Sequence, residues 1–129
     1  MAKILLIEAH PLMRPAIHDL LELVGHTVVE MDRGEKALHW LAENDEVDLV
    51  MTNVDLIEMN GSETLIQQVR ALHAADTPPI LVFTVKADPQ IQAMGQNAGA
   101  DVVLLPPLTA DILYNAVGQL LKSSQPEQR

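Results

Sequence analysis

The chain contains no cysteine and only three aromatic residues, Trp40, Phe83 and Tyr114. Without thiols there are no disulfides, no thiolate zinc sites and no thiol redox chemistry, which suits a reducing compartment. With so few rings the core must be built from Leu, Val, Ile, Ala and Met, and base stacking on single-stranded nucleic acid has no platform. Basic charge is scarce too. Eight Lys plus Arg stand against 18 Asp plus Glu, a net charge of −10, and this balance opposes phosphate backbones and anionic membrane surfaces. Long apolar runs are missing near the start, where Ile4-Leu5-Leu6-Ile7 meets a carboxylate at Glu8. Such a run is too short for a signal-peptide core or a bilayer span. The expectations are a cytoplasmic protein with no direct nucleic-acid partner and no membrane partner. What is present, 129 residues of which 48% are hydrophobic, suffices for one domain with one sizeable core. That domain is placed at 1–121, with a polar tail over 122–129.

Short apolar runs alternate with helical periodicity along the chain. Ile4–Ile7, Thr27–Met31, Asp48–Val54, Ile80–Thr84 and Val102–Leu105 read as strands, the central ones apolar on both faces as in a buried parallel sheet. Between them Leu12, Ala16, Leu20, Leu23 and Val24 recur at helical spacing until Gly25. Ala37, Leu38 and Leu41 do so within Gly34–Ala42, and Leu65, Ile66, Val69 and Leu72 within Ser62–His73. Asn60 or Ser62 is the expected N-cap of this third helix. A weak helix starts at Asp88-Pro89, and a last one follows Thr109. Strands and helices alternating over short connections predict βαβ units, hence a doubly wound α/β domain. In such sheets functional groups gather at the carboxyl ends of the strands, which here are Glu8, Asn53, Thr84 and Pro106.

The Ile4–Glu8 opening, Asp48-Leu49-Val50 leading into strand three, Met59-Asn60-Gly61, Thr84 closing strand four and Gly99-Ala100-Asp101 before strand five occur in order at a familiar spacing. By them the chain resembles the receiver domain of two-component response regulators from about Lys3 to Leu121. The resemblance implies a CheY-like, flavodoxin-like fold: a five-stranded parallel sheet of order 2-1-3-4-5 with five helices. It also implies a function, accepting a phosphoryl group from a histidine kinase on an aspartate with Mg²⁺ and so reshaping the face of helix four, strand five and helix five.

Carried over position by position, that machinery is depleted. The acidic pair after strand one becomes Glu8 and Ala9. The phosphoacceptor becomes Asn53, whose amide cannot form a stable acyl phosphate. The hydroxyl is kept as Thr84, the lysine after strand five becomes Pro106, and the strand-five aromatic becomes Val103. With two of three carboxylates gone, Mg²⁺ binding is expected to be weak or absent, and no other cofactor is expected. The sequence reading is therefore a receiver-like domain that is not an enzyme and acts independently of phosphorylation as a protein-interaction module in signalling.

Two alternatives stay open: a small-ligand sensor using the vacated pocket, and a phosphoacceptor built from Asp55 and Glu58 with Glu8. His10 reads as a loop residue beside the pocket, and His18, His26, His39 and His73 as surface positions. The last helix carries more apolar residues than one core stripe needs. Ile112, Tyr114 and Ala116 are thus candidates for contacting a signalling partner, together with Val103 at the position that the resemblance gives to the strand-five aromatic, with a homodimer as an open alternative.

Overall fold

The computed structural model describes residues 2–57, 64–73 and 77–124. Glu58, Met59, Asn60, Gly61 and Ser62, which the sequence reading used, lie outside the described residues, as does 125–129. The elements are β1 Lys3–Ile7, α1 Met13–Leu23, β2 Thr27–Met31, α2 Gly34–Glu43, β3 Leu49–Asn53, a 3₁₀ turn Val54–Leu56, α3 Leu65–Leu72, β4 Ile80–Phe83, α4 Gln90–Asn97, β5 Val102–Leu104 and α5 Ala110–Ser124. All pairings are parallel, and the five-stranded sheet has the order β2-β1-β3-β4-β5. This is the expected doubly wound α/β architecture. The last helix runs to Ser124, past the domain boundary drawn at 121.

Alternation along the strands divides the core in two, because successive side chains point to opposite sheet faces. Ile4, Leu6, Leu49, Met51, Leu81 and Phe83 meet Ile17 and Leu21 of α1 and Leu113, Val117 and Leu121 of α5. Leu5, Ile7, Val50, Ile80 and Val82 meet α2, α3 and α4 through Ala37, Leu41, Leu65, Ile66, Val69 and Ile91. β1, β3 and β4 are buried on both sides, which is why their sequences are unbroken apolar runs.

Local chemistry sets the element ends. α1 stops in a Schellman motif: His26 N–H bonds Leu21 O at 3.2 Å and Gly25 N–H bonds Glu22 O at 2.9 Å. Gly25 takes φ 97° there, a conformation that glycine adopts without Cβ strain. α3 begins one turn later than its periodicity suggested. Thr64 is the N-cap, its hydroxyl accepting from Gln67 N–H at 3.2 Å while the Gln67 side chain accepts from Thr64 N–H at 2.7 Å. This reciprocal capping box displaces the expected caps Asn60 and Ser62. Two loop carboxylates pin strand ends: Asp48 accepts from Lys3 N–H at 2.8 Å and Asp101 from Ile80 N–H at 2.7 Å.

At the sheet edge α4 rides close on β5. A Cβ built on Gly95 would lie 2.7 Å from Val103 Cγ2, so the absence of a side chain at 95 is what lets the helix approach. The bond between Pro106 and Pro107 beyond β5 is cis.

Candidate functional site

β1, β3 and β4 end side by side, and their registers bring Glu8, Asn53 and Thr84 to the same edge of the sheet. All three are buried. Asn53 Nδ2 donates to Glu8 Oε1 at 2.9 Å, and the other Glu8 oxygen accepts from His10 N–H at 3.1 Å. Asn53 Oδ1 accepts from Asp55 N–H at 2.9 Å, so both ends of the amide are engaged and the side chain caps the 3₁₀ turn that follows. Thr84 Oγ1 accepts from Lys86 N–H at 3.0 Å and shapes the loop after β4.

The adjoining cavity holds about 360 Å³ and is mostly apolar, with walls from Ala9, Met13, Leu56 and Val85 around Glu8 and Asn53. His10, Asp55 and Lys86 complete its lining, and Lys86 Nζ pairs with Asp55 Oδ2 at 3.3 Å. Both partners of that pair are more than half exposed, where such a bridge contributes about 0–1 kcal/mol. Of the five pocket positions drawn from the sequence, Glu8, Ala9 and Asn53 therefore line one cavity. Thr84 is buried against the β4 loop and Pro106, partly buried beyond β5, is not among the lining residues.

Sequence reasoning passed over two groups here, Lys86 and Arg14. Lys86 lines the cavity from the loop after β4, signalled only by standing two residues beyond the strand end. His10 is a loop residue as expected, and its Nδ1 accepts from Leu12 N–H at 3.1 Å and Met13 N–H at 3.3 Å, capping α1. Arg14 donates to the Glu8 carbonyl at 2.9 Å through one nitrogen and to Glu30 Oε1 at 3.0 Å through Nε. Helix α1 is thus tied to the residue that floors the cavity.

Glu30 also bonds His18 Nδ1, while His18 Nε2 pairs with Glu22 at 2.8 Å. Burial opposes the imidazolium, but the two carboxylates outweigh it and hold His18 above its ordinary pKa. His18 is consequently a half-buried network member and not the free surface residue its sequence context implied. His26 moves the other way, pushed down by burial, and its Nδ1 is buried without a hydrogen-bond partner. His73 bonds Leu41 O at 3.1 Å, joining α3 to α2. His39 is the surface position anticipated.

Mg²⁺ demands near-octahedral oxygen donors. Glu8 is the one carboxylate left of the three that the resemblance implies, Asn53 turns its nitrogen towards that carboxylate and its oxygen to Asp55 N–H, and Ala9 supplies nothing. Among the described residues no group of three His, Asp or Glu side chains is placed to hold a metal. The donor set does not fit Mg²⁺.

The candidate interface residues do not form one patch. Tyr114 donates its hydroxyl to Leu20 O at 2.8 Å, turned onto α1, and Ala116 packs on the α1/α5 side of the core. Val103 is partly buried against the opposite face of the sheet. Ile112 is the exposed member, at 37%.

A family model described as the response regulator receiver domain matches residues 4–118. The chain belongs to the response regulator receiver domain family. It is similar to a chemotaxis protein CheY homolog of Campylobacter jejuni, 28% identical over 126 residues that span 97% of this chain and 96% of that protein. It is also similar to the transcriptional regulatory protein CpxR of Escherichia coli K12, 29% identical over 96% of this chain but only 51% of CpxR. Among solved structures, the signal receiver domain of a signal transduction histidine kinase from Syntrophus aciditrophicus superposes with a TM-score of 0.83 at 23% identity, covering 99% of this chain and 96% of that one. That likeness concerns the fold, CheY-like with its strand order. The chain is a receiver domain of two-component signal transduction. No helix among the described residues is long and apolar enough to cross a membrane.

Proposed function

We propose that this receiver domain works without phosphorylation, as a cytoplasmic protein-interaction module and not as an enzyme, with little or no affinity for Mg²⁺. The observation that supports this is the Asn53–Glu8 hydrogen bond. At the position where the family resemblance places a nucleophilic aspartate, an amide donates its N–H to the neighbouring carboxylate, and both of its ends are committed to the fold. The alternative carboxylate Asp55 points an oxygen at Lys86, and both side chains are more than half exposed. A partner would be met on the face of α4, β5 and α5, where Ile112 and Met94 are exposed apolar residues, and direct contact with nucleic acid is disfavoured by the net charge of −10.

Incubation with a small phosphodonor and Mg²⁺ followed by intact-mass measurement tests the reading. No phosphate adduct is expected on the native chain. An acid-labile adduct mapped to Asp55 or Glu58 would overturn phosphorylation independence. A second reading, a small-ligand sensor, is favoured by the apolar cavity of about 360 Å³ beside Glu8, a volume within the range of small-molecule sites.

A further inference from the structure

We propose that the cavity at the carboxyl edge of the sheet binds a small organic ammonium ion, a primary amine carrying a short alkyl body. The proposal rests on the ligand-sensor reading and names its ligand class. Glu8 is 3% exposed and lines the cavity. Its carboxylate accepts two hydrogen bonds, both from neutral donors, Asn53 Nδ2 and His10 N–H. A carboxylate offers about four acceptor directions, so two remain. Among the described residues Glu8 enters no ion pair. Arg14 divides its guanidinium between the Glu8 carbonyl and the Glu30 carboxylate, and Lys86 pairs with Asp55. A buried charge held only by neutral donors retains a strong preference for a cation.

The rest of the wall selects which cation. A bare divalent ion needs six or more oxygens, whereas beyond Glu8 the wall's side-chain oxygens are Asn53 Oδ1, which accepts from Asp55 N–H, and the carboxylate of Asp55, which pairs with Lys86; Met13, Leu56, Val85 and Ala9 offer none. An alkylammonium supplies three N–H donors at one end for Glu8 and an apolar body at the other for those side chains. Anionic ligands are opposed by Glu8 itself. The exposed Lys86–Asp55 bridge stands at the same cavity and contributes little enough that it can part as a ligand enters.

The test is titration of the native chain with methyl- to hexylammonium chloride, read by amide chemical shifts and by calorimetry. Alcohols of the same chain lengths, and MgCl₂, are run beside them. Saturable binding is expected for the amines, tightening about fourfold per methylene until the cavity is full, with shifts centred on Glu8, Asn53 and Val85. Glu8→Gln is expected to reduce amine affinity at least tenfold. Val85→Trp, which crowds the cavity from a half-exposed wall position and leaves Glu8 untouched, is expected to do the same in a chain that remains folded.

Equal binding of amines and alcohols would overturn the ammonium class while leaving a ligand site. Absence of saturable binding by either series up to about 10 mM would overturn both. Amine binding unchanged in Val85→Trp would show the ions to be collecting on the acidic surface, and would overturn the site.

Discussion

Asn53→Asp exchanges a donor for an acceptor 2.9 Å from the Glu8 carboxylate, and the cost can be worked by two routes. If both carboxylates stay ionised, their repulsion is about 6 kcal/mol at an effective dielectric near 20. Loss of the charge-assisted hydrogen bond adds about 1.5–3 kcal/mol. If one carboxyl instead takes up a proton, the hydrogen bond survives as O–H to oxygen. The cost is then about 1.4 kcal/mol for each pH unit above an ordinary value near 4, or about 4 kcal/mol at pH 7. The second route is cheaper. Relaxation of the side chain towards the cavity lowers the figure further, so the variant is expected to be about 2–4 kcal/mol less stable than the native chain at neutral pH.

The sign of the pH dependence follows. An aspartate held protonated by its neighbour has a folded pKa above its unfolded one, so the folded state binds more protons and stability falls as pH rises through neutrality. Urea unfolding of both chains at about pH 5 and pH 7.5, in EDTA, reads this directly: the gap is expected to widen at the higher pH by up to about 1.4 kcal/mol per unit. Mg²⁺ is expected to narrow it for the variant and to leave the native chain unmoved. A variant as stable as the native chain at pH 7.5 in EDTA would refute the account of Asn53 as the donor that holds the buried Glu8 carboxylate.

Other outcomes follow from single contacts. His18, held above its ordinary pKa by Glu22 and Glu30 against the pull of burial, stabilises the fold at acidic pH, and this contribution is lost as pH rises above the ordinary value of 6.5 through the raised one. His18→Gln is therefore expected to lower the melting temperature at about pH 5.5 and to change little near pH 9; an equal loss at both would refute the charged pairing. Gly95→Ala is expected to destabilise by about 1–3 kcal/mol through overpacking, because its Cβ meets Val103 Cγ2 at 2.7 Å. Adding Val103→Ala should recover much of that in a double-mutant cycle, and purely additive losses would show that the helix is not wedged there. Thr64→Ala removes the capping hydroxyl of α3 and is expected to cost about 1 kcal/mol in urea unfolding, with Gln67→Ala adding less than its own single effect.

The sheet was legible because β1, β3 and β4 are buried on both faces and leave unbroken apolar runs bounded by polar residues. Their carboxyl ends announced Glu8, Asn53 and Thr84 for the same reason. Less visible was anything set by contacts between distant segments. The start of α3 was misplaced because Asn60 and Ser62 look like caps in isolation. The Thr64-x-x-Gln67 pair was present in the sequence and went unused. His18 looked like a surface residue because nothing local marks Glu30, twelve residues on, as its neighbour. Tyr114 looked like an outward-facing group because helical spacing cannot show that its hydroxyl finds the backbone of α1, 94 residues away in the chain.

The amide at position 53 also gives sequence change a direction. In a chain where an alanine follows Glu8 and no lysine follows β5, a single Asn53→Asp change restores one of the missing groups and leaves the others missing. It first removes the donor on which the buried Glu8 depends, and so meets its stability penalty before any phosphoryl chemistry could reward it. The Asn53–Glu8 bond thus works as a ratchet: the amide at 53 is a structural member that the fold holds in place.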